Sequence, residues 1–196
     1  MTENNKEQKN MVENNIEEYN SIMSIDIGTK NFAYSIINDD GIYFDVVSIG
    51  DNIYDRERNI RELMMHLILE HNVKDVIIEK QVHYNTVAMC LMYGIFFFAC
   101  ALLCPEHVFL FRPIDKFAML GLQVETKQKK HKKASIMCMR SFIKHKYPKK
   151  MDDFKKYRKK DEISDSLMQG IVWMYKNNKL KMSKAELLSI ILEDFE

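Results

Sequence analysis

A chain of 196 residues, 46% hydrophobic and 29% charged, suits one globular domain long enough to bury a sizeable core. The net charge of +1 hides an asymmetry: residues 127–160 hold fifteen lysines and arginines against Asp152 and Asp153, a net of +13 that leaves the remainder at −12. Four cysteines without metal-ligand spacing exclude a paired disulfide framework and favour a reducing compartment. The basic block on an otherwise acidic protein is the kind of segment that meets phosphate.

Residues 1–20, rich in Asn and Glu, read as a disordered acidic leader, with neither a secretory signal nor the arginines of a transit peptide. The chain proper, 21–196, then opens on an apolar strand from Ile22 that carries a carboxylate at Asp26, bends at Gly28 and resumes over 32–37. An unpaired carboxylate inside a strand costs several kcal/mol unless a partner or a metal answers it. A turn-edge Asp bonded to nearby backbone is the plain alternative. The turn Asn38-Asp39-Asp40-Gly41 leads into a third strand over 42–49, which makes an antiparallel meander. Its cover is an amphipathic helix over 55–71, with Ile60, Leu63, Met64, Leu67 and Ile68 on one face. The short strand 73–79 ends in a second carboxylate, Glu79.

Residues 87–104 contain no charge, which reaches the lower limit for a membrane span. The stretch follows directly on a polar Glu-Lys-Gln and has no basic flank, so a helix buried between the sheet and a partner subunit is expected, with no membrane partner. A strand over 107–111 stops at Pro113, and a short helix over 114–120 ends at Gly121. Residues 123–131 read as a mobile basic loop, with Lys132 and Lys133 at the start of a helix over 134–145, where cations oppose the helix dipole and favour an anionic visitor. Residues 147–160 mix lysines with Phe154 and Tyr157, which serve either as base-stacking groups or as core anchors.

The third acidic cluster, Asp161-Glu162-Ile163-Ser164-Asp165, opens a helix that continues to about Tyr175. At about 100° per residue, Asp161 and Glu162 lie within roughly 40° and 60° of Asp165, so all three can share a side. Acids in a first helical turn are also ordinary dipole complements. Ser183-Lys184-Ala185-Glu186 is a capping box that starts a terminal amphipathic helix. Together, a strand Asp, a second-strand Glu and acids on a late helix supply the oxygen ligands that two Mg²⁺ or Mn²⁺ ions need, about 3.5 to 4 Å apart, to clamp an in-line phosphodiester displacement. In that scheme Asp26 bridges the ions, Glu79 and the Glu162/Asp165 side complete the shells, and a lysine near 127–133 neutralises the phosphate.

Three motifs in order, Ile25-Asp26-Ile27-Gly28-Thr29-Lys30-Asn31, Ile77-Ile78-Glu79-Lys80-Gln81 and Lys159-Lys160-Asp161-Glu162-Ile163-Ser164-Asp165-Ser166, closely resemble the poxvirus Holliday junction resolvases. More distantly, the chain is similar to fungal mitochondrial resolvases and the bacterial RuvC family. The resemblance covers about 21–175. It implies an α/β, RNase H-like fold, with a central mixed sheet (antiparallel meander, then parallel strands) flanked by helices. It also implies a homodimer, and Mg²⁺-dependent paired nicking of four-way DNA junctions in the cytoplasm of an infected cell or the virion. By the same resemblance Asp26, Glu79 and Asp165 match catalytic acids. The third acid is Asp161 or Glu162, since related chains read Lys-Lys-Asp-Asp there. The catalytic lysine falls within 130–133, with Lys132 or Lys133 preferred.

An actin-like kinase shares the Asp26-Ile27-Gly28-Thr29 run but needs further glycine-rich phosphate loops, for which six glycines leave no room. An RNase H-like nuclease acting on other branched DNA or on RNA–DNA hybrids, and a non-catalytic nucleic-acid-binding module, remain as alternatives.

Overall fold

The central strand β1 is Ile22–Ile27, buried throughout except at Asp26, which is partly buried. The structure, a computed structural model, describes residues 21–81, 85–113, 115–122 and 128–195. The expected leader, 1–20, lies outside them. After β1 the chain reverses in a turn closed by Gly28 N donating to Asn31 O at 2.9 Å. A Cβ on Gly28 would stand 3.0 Å from that same oxygen, so the approach requires glycine. Strands β2 (Asn31–Asn38) and β3 (Gly41–Ser48) complete the antiparallel meander.

Helix α1 (Ile53–Glu70), capped by Asn52, leads to β4 (Asp75–Glu79), and α2 (Thr86–Leu103) leads to β5 (Val108–Phe111). β4 lies parallel to β1, and β5 parallel to β4, so the sheet order is β3-β2-β1-β4-β5. The expected mixed sheet is therefore present. Among the described residues, five further α-helices follow: α3 (Asp115–Ala118), α4 (Gln128–Lys146), α5 (Met151–Lys156), α6 (Lys160–Lys176) and α7 (Lys184–Ile191).

Strand side chains alternate between faces, and this divides the core in two. Met23, Ile25, Ile36 and Ile78 pack against α1 and α2. Ile22, Ile37, Ile77 and Phe111 pack against α4, α6 and α7. Asp26 has the parity of Ile22 and Ser24, and Glu79 that of Ile77, so both carboxylates rise on the α6 side. Helix α6 is seated closely there. Gln169 Nε2 donates to Ser24 Oγ (3.1 Å), Ile25 O (3.2 Å) and Ile77 O (3.2 Å), which ties the helix to β1 and β4 together. Gly170 presses on β1 and β2, where a Cβ would stand 3.0 Å from Ile37 Cδ1 and 3.1 Å from Ser24 Cβ.

Two expectations change. Helix α4 begins at Gln128, so residues 128–131 of the expected basic loop are helical; 123–127 lie outside the described residues. Gln and Lys are good helix formers, and nothing in 128–133 breaks the run. Lys132 and Lys133 consequently sit in the second turn of α4 and not at its start. Residues 151–156 form a helix of their own, α5. Of the two readings open for Phe154 and Tyr157, the core anchors hold: Phe154 is 2% exposed, and both rings pack edge-on against Phe44. Tyr157 Oη also donates to Phe44 O (3.3 Å), and Asp45 Oδ1 accepts from Val46 N, both on the edge strand β3.

Part of the basic block meets acids of the same chain. Lys144 and His145 bond Glu193, Lys146 bonds Glu186, and Arg140 lies 3.7 Å from Asp194. With Leu187 and Ile191 fully buried, these contacts fix α7 against α4. Among the described residues α2 is the one helix long and apolar enough to cross a membrane. Ala88, Leu91, Met92, Ile95 and Ala99 pack it onto the sheet, whereas Tyr93, Phe97 and Leu102 face outward and Phe97 is 68% exposed.

Candidate active site

Asp26 lies one step beyond Ile25, the last β1 residue paired with β4, and Glu79 one step beyond its partner Ile78. The two strands therefore deliver their acids side by side at their C-terminal ends. Burial pushes the Asp26 carboxyl well above its usual range, and the charge of Glu79 and a hydrogen bond shared with it push the same way. Burial would also raise Glu79, but the Lys116 charge and hydrogen bonds from Asp26, Lys116 and Gln81 outweigh it and hold Glu79 low. The two neighbouring acids are thus shifted in opposite directions, Asp26 up and Glu79 down.

Sequence reasoning did not single out Lys116. It sits on α3, 4% exposed, with Nζ 3.1 Å from Glu79 Oε1 and 3.4 Å from Asp165 Oδ1. Burial alone would lower its pKa, yet Glu79, Asp165 and Asp26 together hold it above the ordinary lysine value. The sequence offered little signal for it: in Asp115-Lys116-Phe117-Ala118 the lysine follows an acid and reads as an ordinary solvated charge, although Phe117 and Leu120 after it are buried.

Helix α6 supplies the remaining acids and points them differently. Asp165 accepts from Ser135 Oγ of α4 at 2.8 Å and faces Lys116. Glu162 Oε1 accepts from Asn31 Nδ2 (3.3 Å) and Lys159 Nζ (2.8 Å). Its Oε2 is buried without a hydrogen-bond partner. Asp161 pairs with Lys132. Burial would raise Asp161, but the Lys132 bond outweighs it and holds the acid low, while the same bond raises Lys132. Thus Asp26, Glu79 and Asp165 surround Lys116, Glu162 is held beside Asn31, and Asp161 forms a pair with Lys132. Lys133 is exposed and, among the described residues, pairs with none of these acids.

The donor set is all carboxylate, which suits a hard divalent cation, and the buried, unpartnered Glu162 Oε2 is an oxygen such an ion would answer. Among the described residues, no three His, Cys, Asp or Glu side chains stand close enough as placed to hold an ion. Lys116 lies between Glu79 and Asp165 instead.

The family model described as "Poxvirus A22 protein" matches residues 20–177. The chain belongs to the poxvirus A22 protein family. All five acids, Lys116 and Lys132 fall inside the matched span, and α7 lies beyond it. Among solved structures, the Fowlpox virus resolvase in complex with substrate Holliday junction DNA is similar over 80% of this chain and 98% of its own, at 23% identity and a TM-score of 0.58. Thermus thermophilus RuvC is similar over 81% of this chain and 97% of its own, at 12% identity and a TM-score of 0.58. The yeast mitochondrial Holliday junction resolvase Ydc2 covers 87% of this chain and 84% of its own, at 14% identity and a TM-score of 0.55. These likenesses give the A22 chain the RuvC-like, RNase H-type fold expected of it. No curated protein matches the sequence significantly.

Proposed function

We infer that this protein is a Holliday junction resolvase, a metal-dependent endonuclease that nicks four-way DNA junctions in pairs. One observation carries the reading: in a member of the A22 family, Asp26, Glu79 and Asp165 converge at one end of the sheet, with Glu162 held nearby on α6. The fowlpox relative in this fold was solved with substrate Holliday junction DNA, and that substrate class is the one proposed here.

Magnesium, or manganese in its place, supplies the Lewis acidity that makes water a nucleophile and steadies the leaving oxygen. Asp26, Glu79, Glu162 and Asp165 would hold it. Ser135 orients Asp165, and Asn31 and Lys159 orient Glu162. Lys132, paired with Asp161, is the lysine we assign to the scissile phosphate. Paired nicks need two sites, and a homodimer formed through the outward apolar face of α2 supplies them. The four cysteines are all free, in keeping with a reducing compartment such as the cytoplasm of an infected cell.

The test is cleavage of a labelled four-way junction beside an RNA–DNA hybrid and a linear duplex, with Mg²⁺ and with chelator, by wild type and Asp26→Asn. Paired symmetric nicks in the junction alone, requiring both the metal and Asp26, are the expected outcome. Equal cutting of the hybrid would point to a broader RNase H-like nuclease, and metal-independent binding with no cutting would sink the catalytic reading.

A further inference from the structure

Lys116 is buried where a cation would otherwise go. Its ammonium lies 3.1 Å from Glu79 Oε1 and 3.4 Å from Asp165 Oδ1, with the charge of Asp26 also felt there. A buried lysine is tolerated only when paired and hydrogen-bonded, and here carboxylates from β4 and α6 do both. The chain is anchored just after it: Phe117 is 4% and Leu120 2% exposed, and the Phe117 ring meets His131 of α4 at 5.4 Å between centroids. The lysine is therefore fixed at its place and does not reach in from solvent.

Magnesium binds oxygen at about 2.0 to 2.1 Å, so carboxylates spaced around an ammonium at hydrogen-bond distance stand roughly 1 Å too far out to grip an ion at the same spot. Lys116 and an ion on the Glu79–Asp165 side exclude each other. The unpartnered oxygen of the site, Glu162 Oε2, belongs to neither of the lysine's partners.

We propose that Lys116 occupies one of the two cation positions of the DNA-free enzyme, so that each chain takes a single divalent ion until Lys116 is displaced. The proposal rests on the metal-dependent nuclease reading above and adds an order of loading to it. Lys116 is then a positioning residue that keeps the carboxylates from repelling one another before substrate arrives, and the second ion enters at its expense.

The measurement is the number of Mn²⁺ ions bound per full-length chain without DNA, by titration calorimetry and by loss of the free-ion signal in electron paramagnetic resonance. Wild type is expected to bind about one ion, Lys116→Met about two, and Lys116→Arg, which keeps the charge, about one. Circular dichroism checks that each variant is folded. The wild-type count alone decides the matter should Lys116→Met fail to fold. Two ions of equal affinity in the wild type would overturn the proposal and leave the nuclease reading standing. An unchanged count of one in folded Lys116→Met would also overturn it. No binding by wild type at millimolar Mn²⁺ would remove the metal reading itself.

Discussion

Asn31, the first residue of β2, reaches across to α6 and donates to Glu162 Oε1 at 3.3 Å. The bond joins the turn after Asp26 to the late acidic cluster, and it separates two neighbours that sequence could not. Glu162 is turned to the β1–β2 turn with an oxygen unanswered, and Asp161 is turned to Lys132. Glu162→Gln is therefore expected to lower junction cleavage by on the order of 10² or more, the scale for losing a group that stabilises developing charge. Asp161→Asn should cost about tenfold, the scale of an outer positioning contact. Single-turnover cleavage rates at saturating protein check this, and the reverse ranking would make Asp161 the metal-side acid.

The opposite shifts of Asp26 and Glu79 set a pH dependence. Asp26 titrates above its ordinary 3.8 when folded, so stability that is full below 3.8 is lost as pH rises through the folded value. Glu79 titrates below its ordinary 4.5, so its contribution is present above 4.5 and is lost as pH falls through the folded value. A cation that replaces the proton on Asp26 must bind more tightly as pH rises. Thermal unfolding should show a larger upward shift with Mn²⁺ at pH 8 than at pH 5.5. Without metal, Asp26→Asn should melt above wild type at neutral pH. A pH-independent metal shift would contradict the raised Asp26 carboxyl.

How much of this was legible in the sequence depended on whether neighbours in space were also neighbours in pattern. Asp26 and Glu79 stood out because a carboxylate in an apolar strand breaks a period-2 run, and the sheet order follows from the Asn38–Gly41 turn and the two helical crossovers. Lys116 did not stand out, because its partners are far away in the chain and its four-residue helix has too little period to show that the lysine points inward. The same holds for Gln169, whose three acceptors come from β1 and β4. The basic block looked like one surface but divides. Its α4 portion is answered by Glu186, Glu193 and Asp194 of the C-terminal segment, a pairing across some forty residues or more that composition cannot reveal.

Gly170 gives a test of the scaffold apart from the chemistry. Gly170→Ala drives a methyl to 3.0 Å from Ile37 Cδ1 and 3.1 Å from Ser24 Cβ, so α6 must lift from β1 or the side chains must shift. The expected cost is about 1 to 3 kcal/mol of stability, as for other overpacked cores. Cleavage should fall as well, because Glu162 and Asp165 ride on the same helix. Urea unfolding with single-turnover kinetics measures both, and an unchanged unfolding midpoint would show that the contact relaxes freely.

The outward face of α2 predicts the assembly. Phe97→Glu places a charge where the apolar face would be covered by a second copy, and a buried unpaired charge is costly. Sedimentation should report a dimer for wild type and a monomer for the variant, with single nicks replacing paired ones. A dimer that survives Phe97→Glu would move the interface elsewhere.

Strand β3 closes one side of the sheet with its backbone already engaged: Phe44 O accepts from Tyr157, and Val46 N donates to Asp45. An incoming strand finds those ladder positions taken, and edge-to-edge growth of the sheet is discouraged along this border. Protection against aggregation is thus delegated to a tyrosine and an aspartate that lie apart from the acidic cluster. Crowded copies of the chain can be brought together through their helices without fusing through their strands.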